Sequence, residues 1–139
     1  MPPQEDIKKF NRFYEMFEKT EAIKTTPGHF VYASGDHGGV YIDKKEIFKD
    51  SAQTSVLCEQ MAEHFKNLNI DTVVGPESGG IIMANWVAMH SSRLKERMVD
   101  TVHLFKKGSF MKIKQRDERK MVGKKILLVD DIATTGGSL

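Results

Sequence analysis

Apolar residues change their spacing along this chain, and the changes mark out its elements. Ile7, Phe10, Tyr14 and Phe17 recur every three or four positions, which predicts an amphipathic helix over residues 5–19. The stretch "HFVYASGDHGGVYID" then sets two short β-prone runs around a Gly-rich turn, the pattern of a hairpin. Helical spacing returns at Leu57, Met61, Phe65 and Leu68, with Asp50 or Ser51 as the N-cap. "DTVVG" reads as a short strand ending in Gly75, and "PESGG" as the loop after it. "IIMANWVAM" is apolar almost all round, so a third, buried helix is expected there. "TVHLF" (101–105) and "KKILLVD" are two further strands.

Strands that alternate with helices imply βαβ crossovers, hence an α/β fold on a parallel sheet flanked by helices. Ligands of such sheets bind beyond the carboxyl ends of the strands. Residues 76–80, 106–118 and 130–138 form the loops at those ends, and they carry the chemically informative side chains.

Composition narrows the function classes. The chain has 139 residues, the size of one domain, and 21 basic against 19 acidic residues leave a net charge of +2. That balance argues against nucleic acid as a partner. One local exception is residues 106–125, with nine Lys or Arg and two acids. The run reads as a solvated hairpin or as a means of guiding an anionic substrate. A single cysteine, Cys58, excludes an internal disulfide and fits a reducing, cytoplasmic setting. "MPPQEDIKKF" lacks the apolar run of a signal peptide, and no stretch approaches the roughly 18 apolar residues of a membrane helix. Cys58 and Trp86 read as core residues. His90 and His103 lack metal-ligand spacing.

The closing stretch "ILLVDDIATTGGSL" joins an apolar strand to two carboxylates and a glycine-rich loop. Ala133, Thr134, Thr135, Gly136, Gly137 and Ser138 offer backbone N–H groups and hydroxyls. Glycine allows the tight curl an anion needs, and a helix starting near Gly137 would add its positive end. The loop lacks the GK[ST] ending of a P-loop. Carboxylates beside a phosphate cradle repel phosphates but accept hydrogen bonds from sugar hydroxyls. A sugar phosphate is the ligand that suits both halves.

"ILLVDDIATTGGS" resembles the phosphoribosyl diphosphate (PRPP) motif of type I phosphoribosyltransferases. "VVGPESGGIIMANWVA" resembles the pyrophosphate loop and following helix of the orotate branch. "HFVYASGDHGGVYID" resembles that branch's N-terminal segment, which contributes to a base-binding hood. The resemblance spans residues 28–139 and implies one domain over 1–139, with helix and hood in 1–45 and the sheet core with the PRPP site in 46–139. It implies that Asp130 and Asp131 bind the ribose hydroxyls, that 133–138 hold the 5-phosphate, and that Glu77, Ser78, Gly79 and Gly80 meet the pyrophosphate. Lys106 and Lys107 stand where related enzymes begin a mobile catalytic loop, and Asp131 joins them as a catalytic candidate. Ser34, His37 and Tyr41 are the base-contact candidates. The implied activity moves ribose 5-phosphate from PRPP to an orotate-like base, with Mg²⁺ carried by PRPP and with two copies forming a homodimer. A purine phosphoribosyltransferase and a non-catalytic PRPP-sensing or RNA-binding regulator remain alternatives. Three positions depart from the orotate pattern: Ala33 and Gly79 stand where lysines occur, and 106–118 has no histidine. The family's fold continues past the phosphate loop into a helix and further strands, so an incomplete protein, lacking its C-terminal strands, is expected.

Overall fold

The computed structural model describes residues 13–32, 34–108 and 110–132. The chain divides into two compact units, Met1–Gln53 and Thr54–Leu139.

In the first unit, helix α1 occupies residues 13–19. The expected helix begins at 5, and 5–12 lie outside the described residues. Thr20 ends α1 by donating its hydroxyl to the carbonyls of Met16 and Phe17, at 3.1 Å each. Strand β1 (Ile23–Val31) then pairs antiparallel with β2 (His37–Ile42). The hairpin expected from the sequence is present, but β1 starts well before His29. "TTPG" carries a turn signal yet lies inside the strand, where the register shifts between Thr25 and Phe30. Pro27 has no N–H to give a ladder, and a bulge absorbs that defect. Gly35 takes φ +87° in the turn, a value that favours glycine. Asp43 caps α2 (Lys44–Lys49) by accepting from the Lys45 amide at 3.2 Å.

Helix α3 (Ser51–His64) begins in this unit and runs into the second. Asp50 is its cap: one carboxylate oxygen accepts from the Ala52 and Gln53 amides at 3.0 and 3.1 Å. The helix stops at His64, so Leu68, expected on its apolar stripe, is 47% exposed in the turn beyond.

The second unit is built on a four-stranded sheet in the order β5-β4-β3-β6. Strand β3 (Thr72–Pro76) is buried at every residue. It lies between β4 (Asp100–Lys107) and β6 (Ile126–Leu128) and is parallel to both. Helix α4 (Gly79–Lys95) makes the crossover from β3 to β4, as expected, and buries Met83, Ala84, Val87 and Ala88. His90 on this helix is buried, and its Nε2 lies 3.0 Å from the Ser55 hydroxyl of α3. Trp86, expected in the core, is half-buried with its ring 6.1 Å from that of His90.

One stretch differs from expectation. Residues 106–118 do not form an open loop from their start: β4 continues to Lys107, turns, and returns as β5 (Phe110–Lys112) antiparallel to it. A 3-10 helix, Gln115–Lys120, follows. This is the solvated-hairpin reading of the basic run, since strand pairing uses backbone groups and leaves the lysines in water. Among the described residues the apolar run at β6 is the last strand of the sheet. Ile126 and Leu128 are 39% and 40% exposed, whereas Val129 is buried.

At the strands' amino ends, Asp71 ties the segments together. It accepts from the Lys125 amide at 3.0 Å and pairs with Arg97 at 3.3 Å. The Lys125 amide, foremost, and the Arg97 charge hold its carboxyl below the ordinary value of 3.8.

Candidate functional site

The parallel pairing of β3 with β6 decides where the two carboxylates emerge. Val74 pairs with Leu128, and the Val129 amide donates to the Val74 carbonyl at 2.9 Å. Asp130 and Asp131 therefore leave the sheet beside the loop that follows β3. Three glycines make that approach possible. A Cβ at Gly79 would overlap the Asp131 carboxylate, and one at Gly80 would lie 3.0 Å from the Val129 carbonyl and against the Pro76 ring. A Cβ at Gly75 would strike the Gly80 carbonyl and stand 2.9 Å from the Ala84 Cβ. Strand β3, the start of α4 and the end of β6 thus meet at backbone distance.

The two acids are not equivalent. The Asp130 side chain accepts from the Asp131 amide at 2.9 Å. Asp131 has its Oδ2 buried and packed against Gly79 at the first turn of α4, where a helix favours negative charge. The sequence placed both acids at the strand's end but held no sign of this difference.

The loop itself is fastened to β4. The Glu77 amide donates to the Leu104 carbonyl at 2.9 Å, and its Oε1 accepts from the Lys106 amide. The Glu77–Ser78 peptide is cis. Ser78 sits as the N-cap of α4 without a side-chain cap bond. Lys106 and Lys107 are exposed and pair with Met111 and Phe110. No acid occurs between Asp100 and Asp117, so past Asp100 every charged side chain of the β4–β5 hairpin is cationic. Lys114 adds to it, with its ammonium 5.0 Å from the Phe105 ring centroid. An acidic strand end and a basic hairpin are therefore joined through one loop, an arrangement suited to a ligand with hydroxyls at one end and phosphates at the other.

Oxygen donors at Glu77, Asp130 and Asp131 are the kind Mg²⁺ takes in company with substrate phosphates. Among the described residues no group of three or more His, Cys, Asp or Glu could hold a metal ion.

The candidates fall into three sets. Glu77, Ser78, Gly79, Gly80, Lys106, Lys107, Asp130 and Asp131 lie around the ends of β3, β4 and β6. Ser34, His37 and Tyr41 belong to the hairpin of the first unit. There the Ser34 hydroxyl donates to Asp36 at 3.0 Å, the His37 ring stacks on His29 at 4.6 Å, and Tyr41 lies 5.6 Å from Phe30. Ala133, Thr134, Thr135, Gly136, Gly137 and Ser138 lie outside the described residues. Sequence reasoning missed the role of Gly75, for which a glycine inside an apolar strand was the available signal. It also missed the bond from Glu77 to a backbone amide, which leaves no signal.

The family model of the phosphoribosyl transferase domain matches residues 44–139. The chain belongs to this family. Curated phosphoribosyltransferases of similar sequence include the orotate phosphoribosyltransferase of Caldanaerobacter subterraneus subsp. tengcongensis, 36% identical over 127 residues. The Thermotoga maritima protein of the same name is 34% identical over 128 residues. The chain spans about 61% and 62% of the length of these relatives, and the matches take in 90% of it. The crystal structure of Francisella tularensis orotate phosphoribosyltransferase superposes with a TM-score of 0.61 at 23% identity, covering 90% of this chain and 58% of that one. Trypanosoma brucei adenine phosphoribosyl transferase gives 0.60 at 16% identity, covering 88% and 57%. Those structures establish the shared α/β phosphoribosyltransferase fold. No helix among the described residues is long and apolar enough to cross a membrane.

Proposed function

We propose that this chain carries the PRPP site of an enzyme that transfers ribose 5-phosphate from PRPP to an orotate-like base and releases pyrophosphate. The observation that carries the reading is the meeting of Asp131, with Asp130 beside it, and Gly79 at the start of α4. It sets acceptors for ribose hydroxyls directly beside the loop proposed to receive the pyrophosphate. The names of the curated relatives favour orotate over a purine.

The chemistry follows from charge. As the bond from C1 to pyrophosphate breaks, positive charge grows on the sugar and negative charge on the leaving group. Asp130 and Asp131 would orient the ribose and favour the first, and Lys106 and Lys107 would stabilise the second. Mg²⁺ carried by PRPP would neutralise phosphate charge when bound. Residues 133–138 would hold the 5-phosphate, and Ser34, His37 and Tyr41 are the proposed base contacts. No covalent intermediate with the protein is needed. A cytoplasmic homodimer completes the proposal, supported by the buried, unpaired-in-disulfide Cys58 for the compartment and by family resemblance for the dimer.

The test is pyrophosphate release from PRPP and Mg²⁺ by the purified full-length protein, across orotate, uracil, adenine, hypoxanthine and guanine. Release with orotate is expected. Release with a purine alone would make it a purine enzyme. PRPP binding without turnover of any base would make it a regulator.

A further inference from the structure

Strand β4 outruns its neighbour. The β3–β4 register ends with Pro76 opposite Leu104, yet β4 continues to Lys107. Strand amides alternate between the two edges. The Leu104 carbonyl faces β3, where it takes the Glu77 amide. Two residues on, the Lys106 N–H faces the same side, past the last residue of β3. The Glu77 carboxylate fills that place by accepting from it. On the opposite edge residues 105–107 pair with β5. The root of the cationic hairpin is therefore held on one side by a strand and on the other by a single side chain. That side chain belongs to the loop that would receive the pyrophosphate.

We propose that Glu77 is a positioning residue, not a ligand of the pyrophosphate: its carboxylate fixes the outrunning end of β4 and so sets where Lys106 and Lys107 stand relative to the loop 76–80. The inference deepens the function proposed above and rests on it for its kinetic half. Charge supports it. A carboxylate turned toward pyrophosphate would repel it, whereas one engaged by a backbone amide faces the protein. Glutamate also has the reach to extend the ladder by one rung, which Asp or Ser at this position would not.

Two variants of the full-length protein, Glu77→Gln and Glu77→Ala, test it by amide hydrogen exchange and by steady-state kinetics. Glu77→Ala removes a charge-assisted hydrogen bond, so exchange at the Lys106 amide should accelerate roughly 10- to 100-fold. Exchange at Val73 and Val74 in the centre of the sheet should not change. Glu77→Gln keeps an acceptor and should retain most of the protection. In turnover, Glu77→Ala should lower kcat by a factor of the same order with KM for PRPP within about twofold, because the lysines act on charge that develops as pyrophosphate leaves. Glu77→Gln should recover most of that loss. Unchanged exchange at Lys106 in Glu77→Ala overturns the proposal. So does a rise in KM with kcat preserved, or a glutamine variant as slow as the alanine one despite a protected Lys106. If the wild-type protein turns over no base, the proposed function fails, and the exchange measurement alone decides what Glu77 does.

Discussion

Replacing Gly79 by alanine separates what the glycine does for the fold from what it does for the site. The new Cβ would fall on the Asp131 carboxylate and lie 3.0 Å from the Asp131 Cβ. Two terms oppose each other in stability. Alanine is favoured over glycine in a helix interior by about 1 kcal/mol, less at the first helical residue. Overpacking costs about 1–3 kcal/mol, but the obstacle here is mostly a carboxylate that can rotate away. The expected net loss of stability is therefore small, up to about 2 kcal/mol. Ligand binding should suffer more. In the proposed site a displaced Asp131 would give up charge-assisted hydrogen bonds from ribose hydroxyls, each worth about 1.5–3 kcal/mol, or roughly 10- to 100-fold in affinity. The assay combines urea denaturation of Gly79→Ala, Asp131→Ala and the double variant with calorimetry of PRPP binding in Mg²⁺. With Asp131 truncated the clash is relieved, so the double variant should be more stable than the sum of the singles by about 1 kcal/mol, within the range for touching residues. Effects that add to within about 0.5 kcal/mol, with PRPP affinity unchanged in Gly79→Ala, would refute the contact and the site together.

Gly75→Ala should be costlier to the fold, near the upper end of about 1–3 kcal/mol by denaturation, because its obstacle is the Gly80 backbone carbonyl, which cannot rotate aside. Asp130→Asn keeps an oxygen for the Asp131 amide, so it should melt normally while PRPP affinity drops about 10- to 100-fold; normal affinity would remove Asp130 from the ribose site. Cys58 is fully buried and burial pushes its thiol up to about 12, so thiol reagents at pH 8 should label it only as the protein unfolds, and stoichiometric labelling of the native protein would contradict that placement. Asp71 binds its proton more weakly folded than unfolded, so its contribution is complete above the ordinary value of 3.8 and fades as pH falls through its lower native value. Asp71→Asn should accordingly lose less stability than wild type on acidification below about pH 4, as followed by thermal melts.

Burial of every residue made β3 readable from sequence, since such a strand shows up as an unbroken apolar run; α4 was expected to be buried all round, but it buries one face and leaves Ile82 38% exposed. β6 carries a similar apolar run with less burial. "ILLV" was legible as an apolar strand, and it is the last in the sheet order among the described residues, with Ile126 and Leu128 part-exposed. β4 was read two residues short because Lys106 and Lys107 look like loop, while a ladder recruits only their backbones. β1 was hidden by Pro27-Gly28, a turn signal that the hairpin tolerates as a bulge. At the site, strand end followed by two acids was legible as a local pattern. The burial of Asp131 against Gly79, and the grip of Glu77 on Lys106, join residues distant in the chain through shape and a backbone amide. Neither leaves a spacing to find.

The placement of β3 between β4 and β6 also bears on how the molecule comes together. Thr72 pairs with Asp100, 28 residues on (100 − 72), and with Ile126, 54 residues on (126 − 72). Doubling a loop costs only about 0.6 kcal/mol, yet distant pairings are reached later in folding than near ones. The β3–α4–β4–β5 segment can assemble from contacts among neighbours, with β6 docking onto it last. Because β6 delivers Asp130 and Asp131 to Gly79, competence to bind a sugar phosphate would be the final property the folding chain acquires. Pulse-labelled exchange should then show protection at Val73 and Val102, whose amides face the β3–β4 pairing, before Val74 and Val129, whose amides face the β3–β6 pairing, and ligand present during refolding should speed none of the earlier steps.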